Sequence, residues 1–271
     1  MTPLCQSFQQ KADWVWRQIA DADRAGLAFS EETITETILL DLQREHPEEV
    51  RLRAFSKREE KNNGADWEWW IGRPGRWLGM RMQAKRLALP REEFKQLQGY
   101  GRKKGSPPQI EVLIAEAAKY RINAGYCLYI HSKKWPTLRA WPVYGFIGGG
   151  PLSPQGCLLA EAKAVRATGS NALTKIAPVA VPWHLIVCHC SSGVFNGRGG
   201  IADAAWAMLR ASSELAGGDP DSDLYPPVEA LPPYMQLLRD GGESDDIAAG
   251  LRHAAVARGL RGFLLIQEER G

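Results

Sequence analysis

The amino-acid sequence predicts an α/β fold of three layers, in which helices cover both faces of a mixed sheet. Segments with the apolar period of helices alternate with segments that alternate apolar and polar residues, as strands do. Over the first half their order is helix, three strands, helix, strand, which is typical of a layered α/β domain. The 271 residues are 44% hydrophobic and 24% charged. That composition is sufficient for a large core and excludes a disordered chain, a collagen and a disulfide-rich miniprotein.

The first half begins with two predicted helices. One ends near Gly26, and Ser30 is suited to cap the second, which His46-Pro47 ends. The elements predicted after them are a strand at 50–55, a hairpin of strands at 66–71 and 78–87, a helix from about Pro90, a helix at 109–123 and a strand at 125–130.

The second half carries weaker signals. The elements predicted there are helices near 158–168, 201–211 and 246–258 and strands at 183–190 and 262–267. We expect residues 1–271 to form a single domain, because the chain has no internal repeats and its order of elements suggests one three-layer α/β domain.

Cysteine content and hydropathy predict the compartment. The five cysteines are odd in number and scattered, which favours reduced thiols in a cytoplasmic protein. No apolar run approaches the roughly 20 residues of a membrane span, and the N terminus lacks the pattern of a secretory signal. We therefore expect a cytoplasmic protein that does not enter a membrane.

The predicted hairpin gathers polar side chains on one face. Residues two apart on a strand point to the same face of the sheet. Asp66 and Glu68 therefore share one face of the first strand, and Arg81, Gln83 and Lys85 share one face of the second. This grouping suits metal-assisted phosphodiester hydrolysis, with Mg²⁺ or Mn²⁺ bound by Asp66, Gln83 and Glu68. Lys85 would orient the attacking water and stabilise transition-state charge. The alternative is a solvated hairpin whose carboxylates pair across the strands with Arg81 or Lys85.

The same residues carry a resemblance to a known family. Gly64-Ala65-Asp66, followed after the hairpin by Met82-Gln83-Ala84-Lys85-Arg86, resembles the D…QxK signature of PD-(D/E)xK nucleases, closest to Mrr-type restriction endonucleases. The resemblance covers about residues 28–131, a nuclease-like core. It leaves residues 132–271 as an extension of the same domain without an assigned function. Ala65 replaces the usual proline, and the tryptophans after Asp66 indicate a separate bacterial subfamily.

The resemblance implies a restriction-endonuclease-like fold and a Mg²⁺-dependent endonuclease. It also implies a catalytic glutamate on the preceding helix, for which Glu31 and Glu32 are both candidates. DNA is favoured over RNA as substrate, a homodimer is expected so that two sites cut two strands, and restriction or anti-phage defence is the implied role. The alternative is a module that keeps the fold and binds nucleic acid or another partner without catalysis.

Charge is unevenly distributed along the chain. The segment 73–104 contains ten Lys or Arg residues and two Glu residues, so it is strongly basic. The segment 212–250 contains nine acidic residues and one Arg, so it is strongly acidic. The basic segment is suited to a polyanion. Its predicted contacts to nucleic-acid phosphates are Arg81, Arg86, Arg102, Lys103 and Lys104.

Overall fold

A computed structural model describes residues 2–55, 67–98, 107–132, 156–188, 200–241 and 244–268. Eight strands form one mixed sheet, and helices pack on both of its faces. The predicted three-layer α/β fold class is confirmed.

Nine α-helices lie in the described ranges. They are α1 (Pro3–Ala25), α2 (Glu31–Glu45), α3 (Gln109–Lys119), α4 (Ala162–Ala167), α5 (Leu173–Ile176), α6 (Gly200–Leu215), α7 (Pro220–Asp223), α8 (Pro233–Asp240) and α9 (Asp245–Arg258). None of these helices is long and apolar enough to cross a membrane.

The strands of the sheet come from both halves of the chain. They are β1 (Val50–Ala54), β2 (Trp67–Arg73), β3 (Arg76–Ala88), β4 (Glu93–Phe94), β5 (Asn123–Tyr129), β6 (Cys157–Glu161), β7 (Ala180–Pro182) and β8 (Gly262–Gln267). Their order is β1-β8-β2-β3-β5-β6-β7, with β4 paired to the end of β3.

The predicted hairpin is present as β2 and β3. Trp67 lies opposite Met82 and Glu68 opposite Arg81 in this antiparallel pair. β5 then runs parallel to β3, so the predicted order of helix, three strands, helix and strand is retained apart from the short β4. The last strand, β8, lies between β1 and β2 and runs parallel to β2. The C-terminal end of the chain is therefore an integral part of the sheet that carries the hairpin.

Each face of the sheet has its own apolar core. Trp67, Met80 and Met82 pack against α1, α2 and α6. Tyr126 and Leu128 face the opposite core with α3, α8 and α9. Because side chains alternate along a strand, the odd-numbered polar residues of β3 face the α3 side.

Capping residues explain the ends of the first two helices. The hydroxyl of Ser30 accepts a hydrogen bond from the backbone N–H of Thr33, as predicted for the N-cap of α2. Gly26 ends α1 in the left-handed conformation, at φ +68°, which costs a glycine little.

Three predicted elements of secondary structure are wrong. The helix expected from about Pro90 is a series of turns with the two-residue β4, and Glu92 adopts a positive φ there. The helix expected at 158–168 begins as β6, a fully buried strand, before α4. The strand expected at 183–190 is a 3₁₀ helix at Trp183–Ile186. Short apolar runs fit a buried strand or a buried helix equally well, so periodicity alone could not distinguish them.

The expectation that all cysteines are reduced is wrong for one pair. Cys5 of α1 and Cys188, which follows the 3₁₀ helix, form a disulfide across 183 residues of chain. Cys127 and Cys157 are buried free thiols, and burial raises the pKa of the Cys127 thiol to about 12. Sequence spacing could not identify the bonded pair, because the two residues meet only through the packing of α1.

We predict that Cys5→Ser lowers the free energy of unfolding only under oxidising conditions. The disulfide closes a long loop and restricts the unfolded chain, so its removal is expected to cost about 2–5 kcal/mol. Urea unfolding of wild type and variant, with and without dithiothreitol, measures this difference. Cys127→Ala is the control, since its cost should be the same in both conditions. An equal cost of Cys5→Ser with and without reductant would contradict the disulfide.

Candidate active site

Gln83 and Lys85 lie together on the α3 face of β3, as predicted. They are 3% and 8% exposed, while Met82 and Ala84 between and beside them point into the opposite core. The Oε1 atom of Gln83 is buried, and no donor among the described residues reaches it. An amide oxygen buried without a partner costs about 1–3 kcal/mol. That cost is avoided if the oxygen accepts from, or coordinates, a ligand.

The ammonium group of Lys85 is positioned by a residue that the sequence analysis gave no role. Lys85 Nζ donates a hydrogen bond to Gln109 Oε1 at 2.8 Å. Gln109 is the first residue of α3, directly after Pro108. Because the first turn of a helix is fixed by its backbone bonds, Gln109 holds Lys85 on a rigid element. A polar residue at the start of the helix after β3 was the available sequence signal.

Asp66 lies outside the described residues, so its predicted place in the site stays a prediction. Its neighbour Trp67 is the first residue of β2 and pairs with Met82 on one side and Gly262 on the other. Consecutive Cα atoms are about 3.8 Å apart. Asp66 is therefore bonded to the end of β2 that pairs with Met82, the residue before Gln83.

The two candidate glutamates of α2 differ in their surroundings. Glu32 Oε1 lies 3.1 Å from Arg261 Nη1, and Glu36 also pairs with Arg261. Arg261 directly precedes β8. Glu31 makes no ion pair with any described residue, and its backbone C=O accepts from the hydroxyl of Thr35.

The structure does not place these glutamates on the face of Gln83 and Lys85. The buried side of α2 packs with Met82 in the core on the other face of the sheet. Glu32 and Glu36 instead contact Arg261, which directly precedes β8. Of the two candidates, Glu32 is therefore engaged by an arginine, whereas Glu31 is engaged by none among the described residues.

Glu68, predicted as a possible metal ligand, lies in a buried network of hydrogen-bond donors from the protein. It is fully buried, and both carboxylate oxygens accept hydrogen bonds from the protein. Trp70 Nε1 donates to Oε1 at 2.8 Å, and the Tyr234 hydroxyl donates to the same oxygen. Arg258 of α9 donates to Oε2 from Nε at 2.9 Å and from Nη2. The desolvated carboxylate is neutralised by Arg258, and a cation would have to displace these donors.

Arg81, predicted to contact nucleic acid, is also buried and cannot reach a polyanion. Its Nη2 donates to the backbone C=O of Arg258, and its guanidinium lies 5.8 Å from the ring centroid of Tyr120. Desolvation lowers its pKa, although the negative charge of Glu68 opposes the shift. The alternation of side chains along the strands predicted that Arg81 and Glu68 share a face. It could not predict that α8 and α9 bury that face.

The other predicted phosphate contacts are only partly described. Arg86 is half-buried near the end of β3, on the side opposite to Lys85 by strand alternation. Arg102, Lys103 and Lys104 lie outside the described residues.

The described part of the site offers one ligand of the kind that a hard divalent cation takes. Mg²⁺ and Mn²⁺ bind oxygen ligands, and Gln83 in β3 offers a buried amide oxygen. Within the described ranges no group of three or more His, Cys, Asp or Glu residues could hold a metal. That search does not bear on the predicted ligands Gln83 and Asp66, because Gln83 is an amide and Asp66 lies outside the described residues.

Comparison with known proteins places this mixed α/β chain in a family. A family model matches residues 4–269, and the chain therefore belongs to the family of unknown function DUF6615. No curated protein matches the chain, and no solved structure matches it.

We predict that Glu68→Gln lowers the free energy of unfolding by about 3–5 kcal/mol, because it leaves the buried Arg258 without its counter-charge. Urea unfolding monitored by tryptophan fluorescence measures the change. Glu36→Gln is the matched control, because that carboxylate is half-exposed and its pairing should contribute less than about 1 kcal/mol. If Glu68 were a metal ligand instead, Glu68→Gln would leave stability without metal unchanged and would weaken Mn²⁺ binding.

Proposed function

We propose that the protein is a divalent-metal-dependent nuclease of the PD-(D/E)xK type that hydrolyses phosphodiester bonds in DNA. The observation that carries the proposal is the buried Gln83 oxygen, which has no donor among the described residues and lies two residues from Lys85 on one strand face. The D…QxK spacing supports it, since Asp66 directly precedes Trp67, the first residue of β2, in the sequence. The order of helix, three strands, helix and strand around the hairpin agrees with it.

The residues have distinct roles in this proposal. Asp66 and Gln83 would hold Mg²⁺ or Mn²⁺. The cation, when bound, polarises the scissile phosphate and lowers the pKa of a coordinated water. Lys85 orients the attacking water and offsets the charge that develops on phosphorus-bound oxygens. Gln109 holds the Lys85 ammonium in place through the 2.8 Å hydrogen bond.

Substrate binding would rest on basic residues other than Arg81. Because Arg81 is buried, phosphate contacts fall to Arg86 and to the basic residues Arg102, Lys103 and Lys104. Such contacts release counterions, so affinity should fall steeply with salt. A homodimer with two sites, and a role in restriction or anti-phage defence, follow from the nuclease resemblance and belong to the same proposal.

A second candidate function is a catalytically inactive module that binds nucleic acid with the same fold. The pairing of Arg261 with Glu32 and Glu36 favours it, because these helix glutamates are already neutralised by the protein. Gln83 also favours this second function, since an amide in place of a carboxylate removes one negative charge from the predicted metal site and should weaken its affinity for a cation.

We predict that Lys85→Ala lowers Mg²⁺- or Mn²⁺-dependent nicking of supercoiled plasmid DNA by at least about a hundredfold. Removing a group that stabilises transition-state charge typically costs this much. Rates of nicking on agarose gels, at fixed salt and metal concentration, measure the effect.

Lys95→Ala is the matched control, because Lys95 is an exposed lysine of the same basic segment that lies off the β3 face. Undiminished cleavage by Lys85→Ala would refute the assigned mechanism. DNA binding by the wild type that depends on salt, with no cleavage in either metal, would support the inactive module instead.

A further inference from the structure

β1 forms one edge of the sheet, and no other strand of the described residues pairs with its outer side. Phe55 N–H donates to the C=O of Arg261 at 2.7 Å, and Gln267 N–H donates to the C=O of Glu49 at 2.7 Å. Both bonds point to β8, so the odd-numbered residues of β1 bond to β8 across the antiparallel pair. β1 is the terminal strand of the sheet formed by the described residues.

The even-numbered residues of β1 therefore direct their backbone groups outward. Within the described part of the chain, the N–H and C=O groups of Leu52 and Ala54 have no backbone partner. Unpaired groups at a sheet edge form a template for another strand.

A groove runs beside this edge. It has a volume of about 420 Å³ and lies between β1, the end of α2, and the α8–α9 pair. Leu237, Ile247 and Leu251 contribute apolar surface to it, and Leu237 is 38% exposed. The groove has a mixed lining, in which charged and polar side chains such as Arg53 and Asp245 lie beside these leucine and isoleucine side chains. An open strand edge beside such a groove is the arrangement that proteins use to bind extended peptides.

Charge decides between the candidate occupants of the groove. Arg53 is exposed and makes no ion pair with any described residue. Arg51 donates to the C=O of Arg239, and its Nη2 lies 3.9 Å from Glu48. Asp245 supplies a negative charge on the α9 side of the groove. Arg53 is therefore the cation available to a ligand along the strand.

A second copy of this chain fits the edge poorly. In an antiparallel β1–β1 pair centred on Leu52, Arg51 of one copy would lie opposite Arg53 of the other. Like charges placed directly opposite each other destabilise a pair of strands. An acidic strand avoids this repulsion.

From these observations we propose that the open edge of β1 binds an extended, acidic and apolar segment of a partner protein by strand addition. Backbone bonds to Leu52 and Ala54 align the segment. Its carboxylates lie near Arg53, and its apolar side chains fill the groove beside Leu237 and Ile247. This binding is independent of the proposed nuclease chemistry at the end of β3.

The test uses the full-length protein and the peptide Val-Glu-Leu-Glu-Val-amide, labelled with fluorescein on its N-terminal amine and followed by fluorescence anisotropy. We expect saturable binding that weakens about tenfold or more with Val-Lys-Leu-Lys-Val-amide labelled at the same N-terminal position. Methylation of every backbone nitrogen in the acidic peptide should also weaken binding at least about tenfold, because the strand bonds are lost.

Arg53→Glu should weaken binding of the acidic peptide about tenfold and improve binding of the lysine peptide. Arg24→Glu is the matched control, because Arg24 is an exposed arginine that does not line the groove. Circular dichroism establishes that both variants are folded, which their exposed positions favour.

Three results would overturn the proposal. The acidic peptide could fail to bind, or it could bind with an affinity that neither N-methylation nor Arg53→Glu changes. Sedimentation velocity could instead show a wild-type dimer that the acidic peptide does not dissociate, which would assign the edge to a second copy.

Discussion

The buried carboxylate of Glu68 is the constraint on which the rest of the structure depends. It belongs to β2, and it pairs with Arg258 of α9 across 190 residues of chain. Tyr234 of α8 donates to the same carboxylate. Transferring a charge into the interior is costly unless it is paired and hydrogen-bonded. β2 therefore requires α8 and α9, which supply the partners of its buried carboxylate. α9 in turn requires Glu68, because Glu68 is the counter-charge of its buried Arg258.

This network also determines where the candidate site can lie. Along the α3 face of β3, Arg81 is enclosed with Arg258 and Tyr120, whereas Gln83 and Lys85 follow toward the end of the strand. The candidate site residues Gln83 and Lys85 thus lie directly beyond the buried network of Glu68, Arg258 and Arg81 along β3. The chain between the end of α9 and the start of β8 contributes to both regions, since Arg258 contacts Glu68 and Arg261 contacts the α2 glutamates.

The sequence predicted the hairpin and the shared face of Gln83 and Lys85, because strand alternation depends only on local geometry. It could not predict that Glu68 is enclosed, since its partners Arg258 and Tyr234 are remote in the chain and meet it only through tertiary packing. The position of β8 between β1 and β2 could not be predicted either, because β8 is also remote from both strands in the sequence. Gln109 is the first residue of a helix that the sequence predicted, but only the hydrogen bond from Lys85 gives it a role.

The central claim is that the end of β3 holds a divalent cation, and anomalous scattering from a crystal grown with Mn²⁺ tests it most directly. The account predicts an anomalous peak within coordination distance of Gln83 Oε1 and of the Asp66 carboxylate, with Lys85 still bonded to Gln109. Peaks found only at other sites, with Gln83 Oε1 bonded to a protein donor, would contradict the account.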